Sequence, residues 1–180
     1  NFMLTKLAHD IEEFDININE DELMSLMKIK RRWPFRYPWD QPSVEIINNL
    51  GNTWSPFYNE AGFDYDDWRW RYNKGFTTIL SNVLDLTEEL RNLDSMLNAK
   101  IGNPVNGNFY WSRTGQVASF DYHKHDYDVI VKQIYGSCMW KIDGNEFEIT
   151  PGKTAYIPKE TGHCVLNKPE DKLSLTINII

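Results

Sequence analysis

Apolar positions in the first thirty residues fall at helical spacing. Leu4, Leu7, Ala8 and Ile11 recur on one side of a 3.6-residue helix. Asn19 followed by Glu22 resembles a capping box ahead of Leu23, Leu26 and Met27. Two short helices are therefore predicted within residues 1–30. The pattern then dissolves. Trp33-Pro34, Tyr37-Pro38, Gln41-Pro42 and Ser55-Pro56 exclude long helices and predict an irregular wrap held by buried aromatic rings. Inside it, the alternation from Asp64 to Tyr72 predicts an edge strand with a charged outer face. Leu86, Leu90, Leu93 and Leu97 then form a single stripe, with Asp85 or Thr87 as cap and Gly102 and Pro104 as stop, predicting a helix that packs on the core.

From Asn108 onward the pattern is β throughout. Short β-rich segments at 108–112, 116–122, 127–135, 138–142, 146–149, 154–157, 164–167 and 173–180 are separated by Asp143-Gly144, Pro151-Gly152 and Lys168-Pro169. Eight strands with short connections predict a mainly β double sheet or jelly roll. Residues 108–180 form its core, and residues 1–107 an N-terminal helical and irregular layer packing on it, in one structural domain.

Composition narrows the partners. A chain of 180 residues, 41% hydrophobic, suits one well-buried domain. A net charge of −7 argues against nucleic acid. The cluster Lys28, Lys30, Arg31 and Arg32 falls at a predicted helix end, where cations complement the dipole. No apolar run reaches membrane-spanning length. Two cysteines, Cys138 and Cys164, make no disulfide framework, so a reduced, cytoplasmic setting is expected. Both read as small buried hydrophobes, Cys164 facing away from its neighbour His163.

Three of the four histidines carry the candidate chemistry. An H-x-H pair on a strand, His123 and His125, sends both rings to one side, and His163 on a later strand can complete one face of a divalent metal. Imidazole suits Fe, Zn, Ni and Cu. His9 lies in an amphipathic helical stretch and reads as a surface or capping residue.

Spacing around these histidines resembles the cupin superfamily. His123-Lys-His125 is followed by three residues, Val129 where that pattern has Glu, six residues and Gly136. Gly152, Pro158, His163 and Asn167 fit the second cupin motif, with Glu160 in place of its usual middle Gly. Asn108-Phe-Tyr110-Trp-Ser112, His125-Asp-Tyr-Asp128-Val129-Ile130, Gln133-Ile-Tyr-Gly136-Ser-Cys138-Met-Trp140, Tyr156-Ile-Pro158 and Leu175-Thr176 are similar to the JmjC-like cupins, which include the ribosomal-protein oxygenases. The resemblance covers about residues 74–180. It implies a double-stranded β-helix, an Fe(II) ion, 2-oxoglutarate as cosubstrate, and O2-dependent oxidation of a substrate C–H bond. It also implies cosubstrate-binding roles at Asn108, Tyr110, Cys138 and Thr176.

Two departures fall in the implied site. His125 stands where the family has an Asp ligand, and Asp126 points to the opposite face if the strand is regular. Cys138 stands where the family has the Lys that pairs with the far carboxylate of 2-oxoglutarate, and a thiol cannot supply that ion pair. Weak or absent 2-oxoglutarate binding is expected unless Lys132, Lys141 or an N-terminal Arg reaches in. Three readings stay open: an Fe(II) oxygenase of JmjC-like type, a three-His dioxygenase without 2-oxoglutarate, and a non-catalytic cupin that holds a metal or senses a ligand. The same triad suits Fe(II) first, with Zn or Ni as alternatives. Its substrate, a protein side chain or a small molecule, is expected to approach beside the Trp-rich N-terminal layer.

Overall fold

A computed structural model describes residues 2–30, 44–47, 53–54, 58–59, 62–114, 121–167 and 169–180. Most of the proline-rich wrap, most of the strand expected at 116–122, Arg31, Arg32 and Lys168 lie outside them. Helices α1 (Phe2–Glu12) and α2 (Glu20–Lys30) form as the apolar spacing predicts. Leu4, Leu7, Ala8 and Ile11 are all buried, and the Glu22 N–H donates to Asn19 Oδ1 at 2.9 Å. Helix α4 (Glu88–Lys100) starts at Thr87, whose hydroxyl accepts from the Leu90 N–H at 3.1 Å. Its Leu90, Leu93 and Leu97 are fully buried.

The edge strand expected at 64–72 is instead a helix, α3 (Tyr65–Asn73). Asp64 caps it, its carboxylate accepting from the N–H groups of Asp66 and Asp67 at 3.1 Å each. The alternating sequence also carries an i,i+4 pair. Trp68 and Tyr72 stack at 4.9 Å between ring centroids and pack on Trp111, while Trp68 Nε1 donates to Thr78 Oγ1 at 3.0 Å. Burying two large rings on one helical face outweighs a period-two pattern of exposed charges.

The strands are β1 (Val44–Ile47), β2 (Thr53–Trp54), β3 (Tyr58–Asn59), β4 (Gly62–Phe63), β5 (Thr77–Leu80), β6 (Val105–Ser112), β7 (Asp128–Tyr135), β8 (Cys138–Ile142), β9 (Asn145–Ile149), β10 (Thr154–Ile157), β11 (His163–Asn167) and β12 (Lys172–Ile179). Seven form one sheet in the order β10-β7-β12-β6-β5-β1-β2, three form a second in the order β11-β8-β9, and β3 pairs with β4. Every pairing is antiparallel. The large sheet takes β1, β2 and β5 from the N-terminal region, where the one strand expected was at 64–72. Asp143-Gly144 makes the β8–β9 hairpin with both residues at positive φ (51° and 79°), as a two-residue turn requires.

Alternation assigns the two faces of the large sheet. Phe109, Trp111, Ile130, Leu173, Leu175 and Ile177 face the helices and share one core with Leu7, Ile11, Leu90 and Trp68. Val129 and Val131 face the small sheet and share a second core with Cys138, Trp140, Ile149 and Ile157. The fold is thus a β-sandwich with a helical layer on its back. Among the described residues, no helix is long and apolar enough to cross a membrane.

Candidate metal centre and its cavity

His123 and His163 form an isolated antiparallel bridge, with N–H to O distances of 3.0 and 2.8 Å in the two directions. His125 lies two residues on, outside any regular strand; its carbonyl accepts from the Glu160 N–H at 2.7 Å. The H-x-H pair therefore converges through a bridge and a turn contact rather than through a continuous strand. All three rings nevertheless meet, with centroid separations of 4.9, 4.4 and 5.0 Å. One ligand nitrogen from each lies within 4.8 Å of the others, close enough for a single metal ion. Asp126 is not part of this group.

Backbone carbonyls orient two of the rings. His163 Nδ1 lies 3.0 Å from Thr161 O, and His123 Nδ1 lies against Asp121 O. A proton on each Nδ1 satisfies these contacts and leaves Nε2 as a lone-pair donor. Tyr127 stacks on His125 at 4.7 Å. Burial, and then the neighbouring His123 and His163, push His125 down to about 4, and burial lowers His163. Both are thus neutral at pH 7, the form that binds metal. Three imidazoles without a carboxylate suit Fe, Zn, Ni or Cu.

The triad borders a cavity of about 80 Å³ between the two sheets. Apolar walls come from Val129, Val131, Trp140 and Ile157, and Tyr110 and Tyr127 border it as well. Strand β12 contributes Lys172, Ser174, Thr176 and Asn178, its alternate polar positions. Tyr110 and Thr176 thus stand on the wall. Burial pushes the Tyr110 phenol up to about 12, so it stays neutral.

Asn108 does not border the cavity. Its Oδ1 accepts from the Asn82 N–H at 3.0 Å and supports a turn where Asn82 has φ of 55°. Cys138 is off the wall too, fully buried in the second core as a small hydrophobe. Cys164 borders the cavity although strict alternation would turn it away from the face of His163. Of the Trp-rich layer, Trp68 and Trp111 pack behind the large sheet, while Trp33, Trp39 and the Trp54 side chain lie outside the described residues; Trp140 of β8 borders the cavity.

Among the described residues the expected cations do not reach in; Arg31, Arg32 and Arg36 lie outside them. Lys132 is on the helix-facing side of β7 and donates to Ile11 O, Glu12 O and Gly152 O at 3.2, 3.0 and 3.4 Å. Lys141 sits over the Tyr122 ring at 5.8 Å. Arg113 bonds Glu20 and Asn73. Among the described residues the cation on the wall is Lys172, which sequence reasoning missed. Its signal was present: Lys172, Ser174, Thr176 and Asn178 alternate with Leu173, Leu175, Ile177 and Ile179, and a polar face on a central strand must line an interior space.

Residues 107–175, under half of the chain, match the AraC-like ligand binding domain family. No curated protein matches the chain significantly. Among solved structures, the Escherichia coli ribosomal oxygenase YcfD is similar at 16% identity, with a TM-score of 0.64 over 93% of this chain and 45% of that one. A second structure of that oxygenase, in complex with cobalt and succinic acid, gives 15% identity and a TM-score of 0.65 with the same coverage. A conserved protein of unknown function from Streptococcus pyogenes matches 42% of this chain and 63% of its own, at 20% identity and a TM-score of 0.38. The chain spans less than half of the YcfD chains. Its two antiparallel sheets, with the helical layer behind them, have the cupin fold in the arrangement seen in that ribosomal oxygenase.

Proposed function

We propose that this chain is a metal-dependent cupin oxygenase, with Fe(II) held by His123, His125 and His163. The observation that supports it is the convergence of three imidazoles on the wall of a cavity, in a fold shared with an oxygenase whose structure holds cobalt and succinic acid. Iron bound there would supply the redox chemistry that lets O2 oxidise a substrate C–H bond. The protein's own contribution is positional. Thr161 O and Asp121 O hold two rings with Nε2 presented, and Tyr127 packs on the third. Val129, Val131, Trp140 and Ile157 keep the neighbouring space apolar, which strengthens electrostatic contacts inside it. Three imidazoles bring no negative charge, so a bound divalent ion keeps its full charge and attracts anionic ligands.

A ligand-sensing cupin without turnover is the second reading, favoured by the match of residues 107–175 to a ligand-binding family. Elemental analysis of the purified protein tests the shared premise. One transition-metal ion per chain is expected, falling to background in His125→Ala; unchanged metal in that variant would overturn the triad. Chelation should also lower the melting temperature, because metal held only by the folded state stabilises it by mass action. Substrate-dependent O2 consumption by the iron-loaded protein then separates the two readings.

A further inference from the structure

Lys172 is 2% exposed and opens β12 on the cavity wall. Its hydrogen-bond partner is neutral, Ser174 Oγ at 3.4 Å. Among the described residues no carboxylate pairs with it, and none borders the cavity. Burying an ammonium without a counter-charge costs several kcal/mol, so such groups are paired or neutralised. Ser112 stands directly across from Lys172 in the β6–β12 ladder, which places both side chains on one face. The Ser112 hydroxyl is fully buried with no hydrogen-bond partner among the described residues, and the indole N–H of Trp140, on the cavity wall, also lacks one. Ser174 is committed elsewhere: its hydroxyl donates to Gln133 Oε1 at 2.6 Å, and Gln133 donates to Gly136 O at 2.8 Å. That chain holds Ser174 with an oxygen lone pair toward the ammonium.

We infer that Lys172, with the Ser112 hydroxyl beside it, is an anchor for the carboxylate of a small organic acid whose other end extends toward the histidine triad. A carboxylate supplies what each group lacks: a negative charge for the ammonium and an acceptor for the unpaired hydroxyl. The cavity sets the size. About 80 Å³ holds roughly five to eight water-sized groups, which suits a short dicarboxylate or keto acid and excludes a peptide lying lengthwise. Position also fits. His123 and His125 precede the start of β7, which pairs with the far end of β12, so Lys172 and the triad lie toward opposite ends of the cavity. Lys172 on β12 would thus supply, from the opposite sheet, the charge that Cys138 on β8 lacks. The direction of the ligand rests on the metal reading above; the anchor itself does not.

Isothermal titration of succinate and 2-oxoglutarate decides it, using Ni(II)-loaded and metal-stripped protein. Both acids should bind the loaded protein, and Lys172→Met should weaken them about ten- to hundredfold with metal stoichiometry unchanged. Ser112→Ala should give a smaller loss in the same direction. Uncharged succinamide should bind the unmodified protein far more weakly than succinate, a comparison that needs no variant to fold. Equal affinity for succinate and succinamide, no succinate binding by metal-loaded protein, or full affinity in folded Lys172→Met would each overturn the anchor. Succinate binding that depends on Lys172 in a protein that takes up no metal would keep the anchor and sink the metal reading.

Discussion

Glu160 occupies the left-handed region at φ of 62°, at the place where the second cupin motif has Gly. Its N–H holds His125 O at 2.7 Å, so the turn cannot relax without moving a candidate ligand. Left-handed backbone costs a residue with a Cβ about 1–2 kcal/mol, while Gly costs about 0.5–1 kcal/mol in unfolded-chain entropy. The exposed pair of Glu160 with Lys124 at 3.3 Å adds little. Glu160→Gly should therefore raise the melting temperature by about 1–2 °C and leave metal stoichiometry unchanged. A lower melting temperature would show that the Lys124 contact outweighs the backbone strain. The three histidines were legible at this scale because both motifs keep their spacing. Asn108 was not, since a turn and a ligand make the same demand on an amide side chain.

At the scale of elements, a lysine fastens a helix to the sheet. Lys132 lies on the helix-facing side of β7 and donates to Ile11 O and Glu12 O, carbonyls at the C-terminal end of α1, the first of which also accepts from the Phe14 N–H at 3.1 Å. The Glu12 carboxylate completes the joint by accepting from Thr154 N and Oγ1, both at 3.0 Å. Lys132→Met keeps the stem and removes the charged donor, so it should cost about 1.5–3 kcal/mol. Hydrogen exchange should quicken first at the end of α1. Unaltered exchange there, with a native melting temperature, would mean that apolar packing alone holds the helix. The existence of α1, α2 and α4 followed from periodicity and caps. Helix α3 did not, because its charges alternate while its buried pair, Trp68 and Tyr72, is spaced four apart.

Across the whole molecule, Glu20 ties the helical layer to the sheet. It accepts from Tyr72 OH at 2.8 Å and from Arg113 Nη2 at 2.9 Å, joining α2, α3 and the end of β6. Burial alone would raise its carboxyl, but the bonds from Arg113 and Tyr72 outweigh it and hold it below the usual glutamate range. A folded pKa below the unfolded one gives stability that is present above the unfolded value and lost as pH falls through the folded one. The melting temperature should thus drop between about pH 5 and pH 3, near the ordinary glutamate pKa. Glu20→Gln should lower it at neutral pH and flatten that acid limb. An unchanged slope in the variant would assign the acid sensitivity to other carboxylates, such as Glu12.

The sequence by itself determined the helices whose apolar residues recur at one spacing, the β core from residue 108 onward, and the histidines that meet. Each of these depends on short-range periodicity or on motif spacing, and both are written along the chain. Only the tertiary structure decided which cation enters the cavity. Lys132, Lys141 and Lys172 all stand on strands, and their destinations depend on which face of which sheet each strand presents. Pairing of β12 between β6 and β7 buries both of its faces, so its polar positions line an interior rather than meet solvent. The strands β1 and β5 were hidden for a related reason. They gain their partners from a sheet that forms around residues more than twenty-five positions away, and no local pattern records that pairing.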